Sequence, residues 1–368
     1  MTGQHQRNIP VGHVPASPGA RVARNEVLLS VREIRTEFRT GAAAVPAVND
    51  VSFDLRRLER LGIVGESGSG KSALARSLMR LIESPGQVVG GTVELEGRRL
   101  DTLTEKQWRR VRGNEVAMIF QDPMSGFDPL KPIGRQIVEA IRLHSEVSKQ
   151  VARRRTVELL GDVEISEPER RFDAYPHEFS GGMRQRAMIA MALANNPKVL
   201  IADEPTTALD VTTQATILRL MRRLSDERGA AMILISHDLG VVAQLCDTVQ
   251  VMYAGKTVER GPAMEVLTNP RHRYTEALLR SVVRRDRLEH GRLPSIPGVP
   301  PNLRDLPLGC PFEPRCHIGR GRTECLTMPP LSQSFASEHG AVTAKCHFPA
   351  GHAEPEIIAA YETDGACA

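Results

Sequence analysis

The stretch LGIVGESGSGKSALARSLMRLI, residues 61–82, decides the fold. It opens on an apolar run of strand length, turns through three glycines at Gly65, Gly68 and Gly70, and continues with apolar residues at helical spacing. Strand, glycine loop and helix in that order are what the phosphate-binding pattern G-x-x-x-x-G-K-[ST] requires, and Gly65 to Ser72 match it in full. In such a loop the backbone N–H groups of Gly65, Ser67, Gly68, Ser69 and Gly70 wrap the phosphates of a nucleotide. Lys71 adds positive charge there, and Ser72 offers its hydroxyl to Mg²⁺.

Working outward, the chain from Val27 to about Val64 reads as short strands (LLSVREI, AVNDVSFDL, LGIVG), and GGTVELEG at 90–97 adds another. Helical periodicity dominates from about Pro129 to Asn195, broken by the prolines and glycines at 168–182. Two further apolar strands, KVLIAD and AMILIS, flank the helix-like TTQATILRLMRRLSDERG. Strands alternating with helices imply a mainly parallel sheet covered on both faces, an α/β fold. Residues 1–25 are polar and rich in glycine and proline, and read as a flexible tail without the apolar core of a secretion signal. Beyond about Val283 the chain turns proline-rich and loses both periods, so 284–368 reads as a separate, irregular extension.

Bulk composition excludes little more. A chain of 368 residues with 41% hydrophobic and 25% charged residues can bury a sizeable core, and a net charge of +4 selects no partner class. No apolar run approaches the roughly 18 to 20 residues that span a bilayer.

Chemistry gathers where strands end. KVLIADEP finishes in two carboxylates, and the alternation of a strand sends Asp203 and Glu204 to opposite faces. Asp203 is expected to hold the metal, leaving Glu204 to orient or deprotonate the attacking water. His237 follows AMILIS and Gln121 follows VAMIF, both at the strand-end edge where α/β folds bind ligands. Ser180, Gly181 and Gly182, in HEFSGGMRQR, open a helix whose free N–H groups suit a second phosphate.

The phosphate loop, IFQD, FSGGMRQR, LIADEPTTALD and SHD, in this order, resemble the nucleotide-binding subunit of an ABC transporter over about residues 26–283. The resemblance implies a P-loop NTPase of ABC type, with a RecA-like core, an antiparallel β-subdomain and a helical subdomain at about 124–190. ATP and Mg²⁺ are the implied ligands, with Ser72, Asp203 and Gln121 around the metal. Lys71, Gln121, Glu204 and His237 are the implied catalytic set, His237 touching the γ-phosphate and Gln121 linking the metal site to the helical subdomain. Asp210 would communicate across a dimer, and Phe38 in RTEFRT is the best-placed residue to stack on adenine, a core phenylalanine being the competing reading. In this family two subunits stack head to tail, so Ser180, Gly181 and Gly182 would close over the ATP of the partner. Phe179 and Met183 depart from the usual LSGGQ signature, and RRLERLG lacks the glycine usual before the Glu59 position.

NPRHRYTEALLRS, IPGVPP and GCPFEPRC resemble the dipeptide and oligopeptide importers within that family. The implied partners are a second, related ATPase, two membrane permeases and an extracytoplasmic peptide-binding protein, at the cytoplasmic face of the cell membrane. A nickel or other small-solute importer is the sibling reading, which the cysteine-bearing tail disfavours. A soluble ABC protein on nucleic acid or ribosomes would lean on the basic runs at 153–155 and 283–292, but such runs are usually solvated faces; no nucleic-acid partner is expected.

Cys310, Cys316, Cys325 and Cys346 lack the close pairs of a structural zinc site. Four thiolates on irregular backbone suit a [4Fe–4S] cluster, with Arg315, Arg320, Arg322 and Lys345 offsetting its charge; members with this tail are understood to bind one. Zinc, or thiols without a ligand, remain the alternatives. Cys246 reads as a core residue and Cys367 carries no signal.

Overall fold

In the computed structural model, residues 26–281, apart from 42 and 208, and 295–351 are described. The expected N-terminal tail, the basic run at 283–292 and Cys367 lie outside them.

Two sheets organise the chain. The strands β1 (Val27–Thr40), β2 (Ala43–Arg56), β4 (Gly86–Leu95) and β5 (Arg98–Arg99) form an antiparallel sheet in the order β2-β1-β4-β5. The larger sheet has the order β11 (Gln333–Phe335), β12 (Val342–Ala344), β10 (Lys256–Pro262), β9 (Thr248–Tyr253), β3 (Arg60–Val64), β8 (Ala231–Ile235), β7 (Val199–Asp203), β6 (Val116–Ile119). From β9 to β6 every pairing is parallel, and from β10 to β11 every pairing is antiparallel. All residues of β6, β7 and β8 are buried, which is why these segments read as continuous apolar runs rather than alternating ones.

Parallel pairing brings the C-terminal ends of β3, β6, β7 and β8 to one edge, and this places the phosphate loop, Gln121, Asp203–Glu204 and His237 side by side. The helices Ile133–His144, Lys149–Asp162 and Gly181–Leu193 form the helical arm, packed through Ile137, Ile141, Leu160 and Ala190. Phe179, one of the two departures at the signature, is buried in that core, so its apolar side chain serves packing.

The turn before Glu59 is made without glycine. Leu58 takes φ +61°, a left-handed conformation that costs a side-chain-bearing residue on the order of 1 kcal/mol. The Glu59 carboxylate offsets this by accepting from the Arg56 N–H at 2.6 Å and the Thr248 hydroxyl at 2.6 Å.

The extension was expected to stand apart with little regular structure. Its described residues hold the short strands β11 and β12, the helix Thr323–Thr327 and a 3-10 turn at Glu313–Arg315, yet β12 pairs with β10 and so continues the central sheet.

Candidate nucleotide-hydrolysis site

Two glycines shape the phosphate loop by necessity. Gly65 has φ +153°, and a Cβ there would lie 2.3 Å from the Met252 carbonyl oxygen; Gly70 has φ +99°, and its Cβ would lie 2.3 Å from that of Ala47. Any side chain would push the loop off its bed. The helix Lys71–Leu78 then begins directly at Gly70.

Lys71 Nζ sits inside the curl, donating to the carbonyl oxygens of Gly65 at 2.7 Å and Glu66 at 2.9 Å. Burial pulls this ammonium below the ordinary lysine range, against the opposing pull of Glu204, Asp203 and Glu66. The Ser72 hydroxyl donates to Asp203 Oδ1 at 2.9 Å. Burial pushes the Asp203 carboxyl above its usual range, the Ser72 bond opposes that, and the nearby Glu204 charge adds to it. A hydroxyl and a buried carboxylate with no cation among the groups they directly bond is a donor set that suits Mg²⁺.

Glu204 is the hub of a set of polar contacts beside the loop. Its Oε2 accepts from Gln121 Nε2 at 3.2 Å and from the Thr207 hydroxyl at 2.8 Å, and lies 3.4 Å from His237 Nδ1. One open cleft of about 430 Å³ is lined by Ala47, Ser67, Gly68, Gly70, Lys71, Ser72, Ala73, Gln121, Glu204 and His237. The split between Asp203 and Glu204 arises differently from the alternation argument. β7 ends at Asp203, and Glu204 takes φ +46° in the turn beyond it. A left-handed residue just past the strand end, rather than a regular pleat, carries the carboxylate that lines the cleft.

Other expected residues lie elsewhere. Phe38 is half-buried on β1, its ring edge 2.7 Å from where a Gly86 Cβ would stand, and it is not among the residues lining the cleft. Ser180 caps the helix Gly181–Leu193 through the Met183 N–H at 3.3 Å, and neither it nor Gly181 and Gly182 line the cleft. Asp210 caps Val211–Arg228 through the Thr213 N–H at 3.0 Å and hydroxyl at 2.7 Å, and these bonds hold its carboxyl below the usual range. Thr207 was missed in the sequence; its position three residues past Glu204, in a turn after a strand end, was the available signal.

The four extension cysteines are all buried, and burial raises each thiol, Cys310 to about 12 and Cys325 to about 11. They are near enough for Cys310 to feel the other three, and a Gly319 Cβ would crowd Cys325 Sγ at 2.9 Å and Cys316 Sγ at 3.3 Å. Yet among the described residues no three His, Cys, Asp or Glu side chains form a group that could hold a metal ion, so the expected iron–sulfur ligand set finds no support there. The expected charge balance also differs. Arg315 is turned to Glu66 and Arg322 lies over the Phe348 ring, while Arg273 is the cation acting on Cys316 and Cys346. Cys246 is buried in the core as read.

The fold and this cleft define a phosphate-loop nucleotide hydrolase. A family model for ABC transporters matches residues 48–207, and one for the oligopeptide/dipeptide transporter C-terminal region matches 258–325. The peptide ABC transporter ATP-binding protein y4tR of Sinorhizobium fredii, described as probable, is 50% identical over 86% of this chain and 94% of its own. The oligopeptide transport ATP-binding protein OppD of Salmonella typhimurium is 50% identical over 83% of this chain and 90% of its own, and OppD of Escherichia coli is 49% identical over 84% and 90%. Among solved structures, the dimeric ATP-binding cassette MJ0796 bound to ADP and Pi superposes with a TM-score of 0.58 at 25% identity, covering 64% of this chain and 99% of that one. The chain belongs to the ATP-binding proteins of ABC transporters, the branch that carries the oligopeptide/dipeptide C-terminal region, and is an ATPase.

Proposed function

We propose that this chain is the ATP-hydrolysing subunit that powers peptide import through a membrane ABC transporter. One observation carries the hydrolytic part: Gln121, Thr207 and His237 converge on one oxygen of Glu204, in the cleft that also holds Lys71 and Ser72. A carboxylate so held is preorganised to orient water toward a phosphate on the loop. Mg²⁺, held by Ser72, Asp203 and Gln121, would supply neutralising charge. The peptide assignment is supported by the matching C-terminal region and by relatives whose names give oligopeptide transport.

In this reading residues 26–283 are the nucleotide-binding domain and 284–368 the extension. The active form is a dimer with a related ATPase, in which Ser180, Gly181 and Gly182 reach the partner's ATP and Asp210 lies at the shared face; the separation of the Ser-Gly-Gly helix from the cleft supports this. Phe38 stacks on adenine. The dimer sits against two permeases at the cytoplasmic face of the membrane, served by a peptide-binding protein outside. No described helix is long and apolar enough to cross a membrane, which suits a peripheral subunit.

For the four thiols we keep a [4Fe–4S] cluster as the proposal. In its favour stand the shared burial of Cys310, Cys316, Cys325 and Cys346 and the Gly319 N–H donating to Cys316 Sγ at 3.1 Å; against it, no three ligating side chains among the described residues form a group that could hold a metal ion. Iron and sulfide analysis of anaerobically prepared protein decides it; zinc alone overturns it. For transport, the chain is co-expressed with its permeases, and uptake of a labelled oligopeptide is measured with wild type and Glu204→Gln. Uptake that survives the substitution, or requires no ATP, would sink the assignment.

A further inference from the structure

The phosphate loop has a second face. One side opens to the cleft, and the other is covered by Tyr253, Ala254 and the extension residues Pro300, Pro301 and Leu303. Glu66, the second residue of the loop, is fixed from three directions. Its N–H donates to the Tyr274 hydroxyl at 2.7 Å, so this amide is turned away from the nucleotide side. Its carbonyl accepts from Lys71 Nζ at 2.9 Å and the Ser69 N–H at 3.2 Å. Its carboxylate receives both terminal nitrogens of Arg315, at 2.7 and 3.0 Å.

Arg315 is built for one partner. Its side chain is 4% exposed. Nε donates to the Pro297 carbonyl at 2.9 Å, Nη1 also reaches the Tyr253 hydroxyl at 3.3 Å, and Nη2 the Ile296 carbonyl at 3.4 Å. With the two bonds to Glu66, all five guanidinium hydrogens are committed. Beneath it Tyr253, Tyr274 and Phe312 pack ring on ring at 4.5 to 5.3 Å, which leaves the guanidinium little freedom to swing away. A planar fork on a carboxylate is directional as well as strong, so it fixes orientation where a lysine would give only charge.

We propose that Arg315 is a positioning residue for ATP binding: through its two-point grip on Glu66, the C-terminal extension sets the shape of the phosphate loop. The grip concerns the free energy of holding the loop ready for phosphates, which substrate and transition state share. Its loss therefore raises KM more than it lowers kcat. This rests on the ATPase reading above, and extends it to a region remote from the cleft in sequence.

The test uses the assembled transporter in proteoliposomes, with steady-state ATPase kinetics for wild type, Glu66→Gln, Arg315→Lys and the double variant, and a melting temperature for each. We expect KM for ATP to rise about tenfold in each single variant with a smaller fall in kcat, and the double variant to match the singles. About tenfold again in the double would show that the two residues act separately and overturn the proposal. So would an unchanged KM in Glu66→Gln, and that variant decides alone if Arg315→Lys fails to fold, because it leaves the extension's own packing in place. A wild-type transporter without ATPase activity would instead overturn the ATPase reading itself.

Discussion

The Thr207 hydroxyl donates to Glu204 Oε2 at 2.8 Å, holding the carboxylate from the residue three places further along the same turn. Glu204 stands past the end of its strand in a left-handed conformation, so this bond and that of Gln121 decide where its charge points. Replacing Thr207 by valine keeps the volume and removes the donor. We expect kcat to fall by about three- to tenfold with KM for ATP nearly unchanged, as for an aid to orientation rather than binding; steady-state ATPase kinetics on the assembled transporter check it.

Glu204→Gln should separate binding from hydrolysis. The amide fills the same space among Gln121, Thr207 and His237 but cannot serve as the base proposed for Glu204, so turnover should drop by about two to four orders of magnitude while ATP is still retained. Single-turnover chemistry alongside nucleotide binding by fluorescence distinguishes the two effects.

Ser180→Ala removes the hydroxyl that caps Gly181–Leu193 and should cost about 1 kcal/mol of stability in the isolated chain. If the same serine serves the partner's ATP, the activity loss in the assembled dimer will exceed what this destabilisation produces. Wild-type specific activity should also rise with chain concentration. A loss fully accounted for by melting temperature argues for capping alone.

His272 gives the extension junction a pH dependence. It is fully buried and accepts the Tyr274 N–H at 3.0 Å through Nδ1, and burial lowers its pKa from 6.5 to about 3. A pKa lowered on folding means the neutral ring is favoured, so its stability contribution is complete above pH 6.5 and is lost as pH falls from there toward about 3. His272→Asn keeps a capping acceptor without titrating, and its melting temperature should fall less steeply across that window than the wild type's.

The phosphate loop was legible because its chemistry is local: glycines that no side chain can replace, followed at once by lysine and serine. The buried strands β6, β7 and β8 announced themselves as unbroken apolar runs. Strand pleat suggests that Asp203 and Glu204 point apart, but not that Glu204 takes a left-handed conformation just past the strand end, which leaves no mark in residue types. Thr207 offered only its place three residues past Glu204, and a threonine in a turn is ordinary until its neighbour is known. The contact between Glu66 and Arg315 joins residues 249 positions apart, and no periodicity reports a pairing of that kind. Arg315 was instead assigned to the thiols beside it, because adjacency was the only information a sequence offers.

The pairing of β12 with β10 carries a practical consequence for anyone trimming this chain. Removing the C-terminal residues would strip β12 from β10 and leave backbone groups around Val258 to Arg260 unpaired at a sheet edge. A shortened version should therefore self-associate through that exposed flank, and insolubility of such a fragment would report a torn sheet rather than a damaged motor.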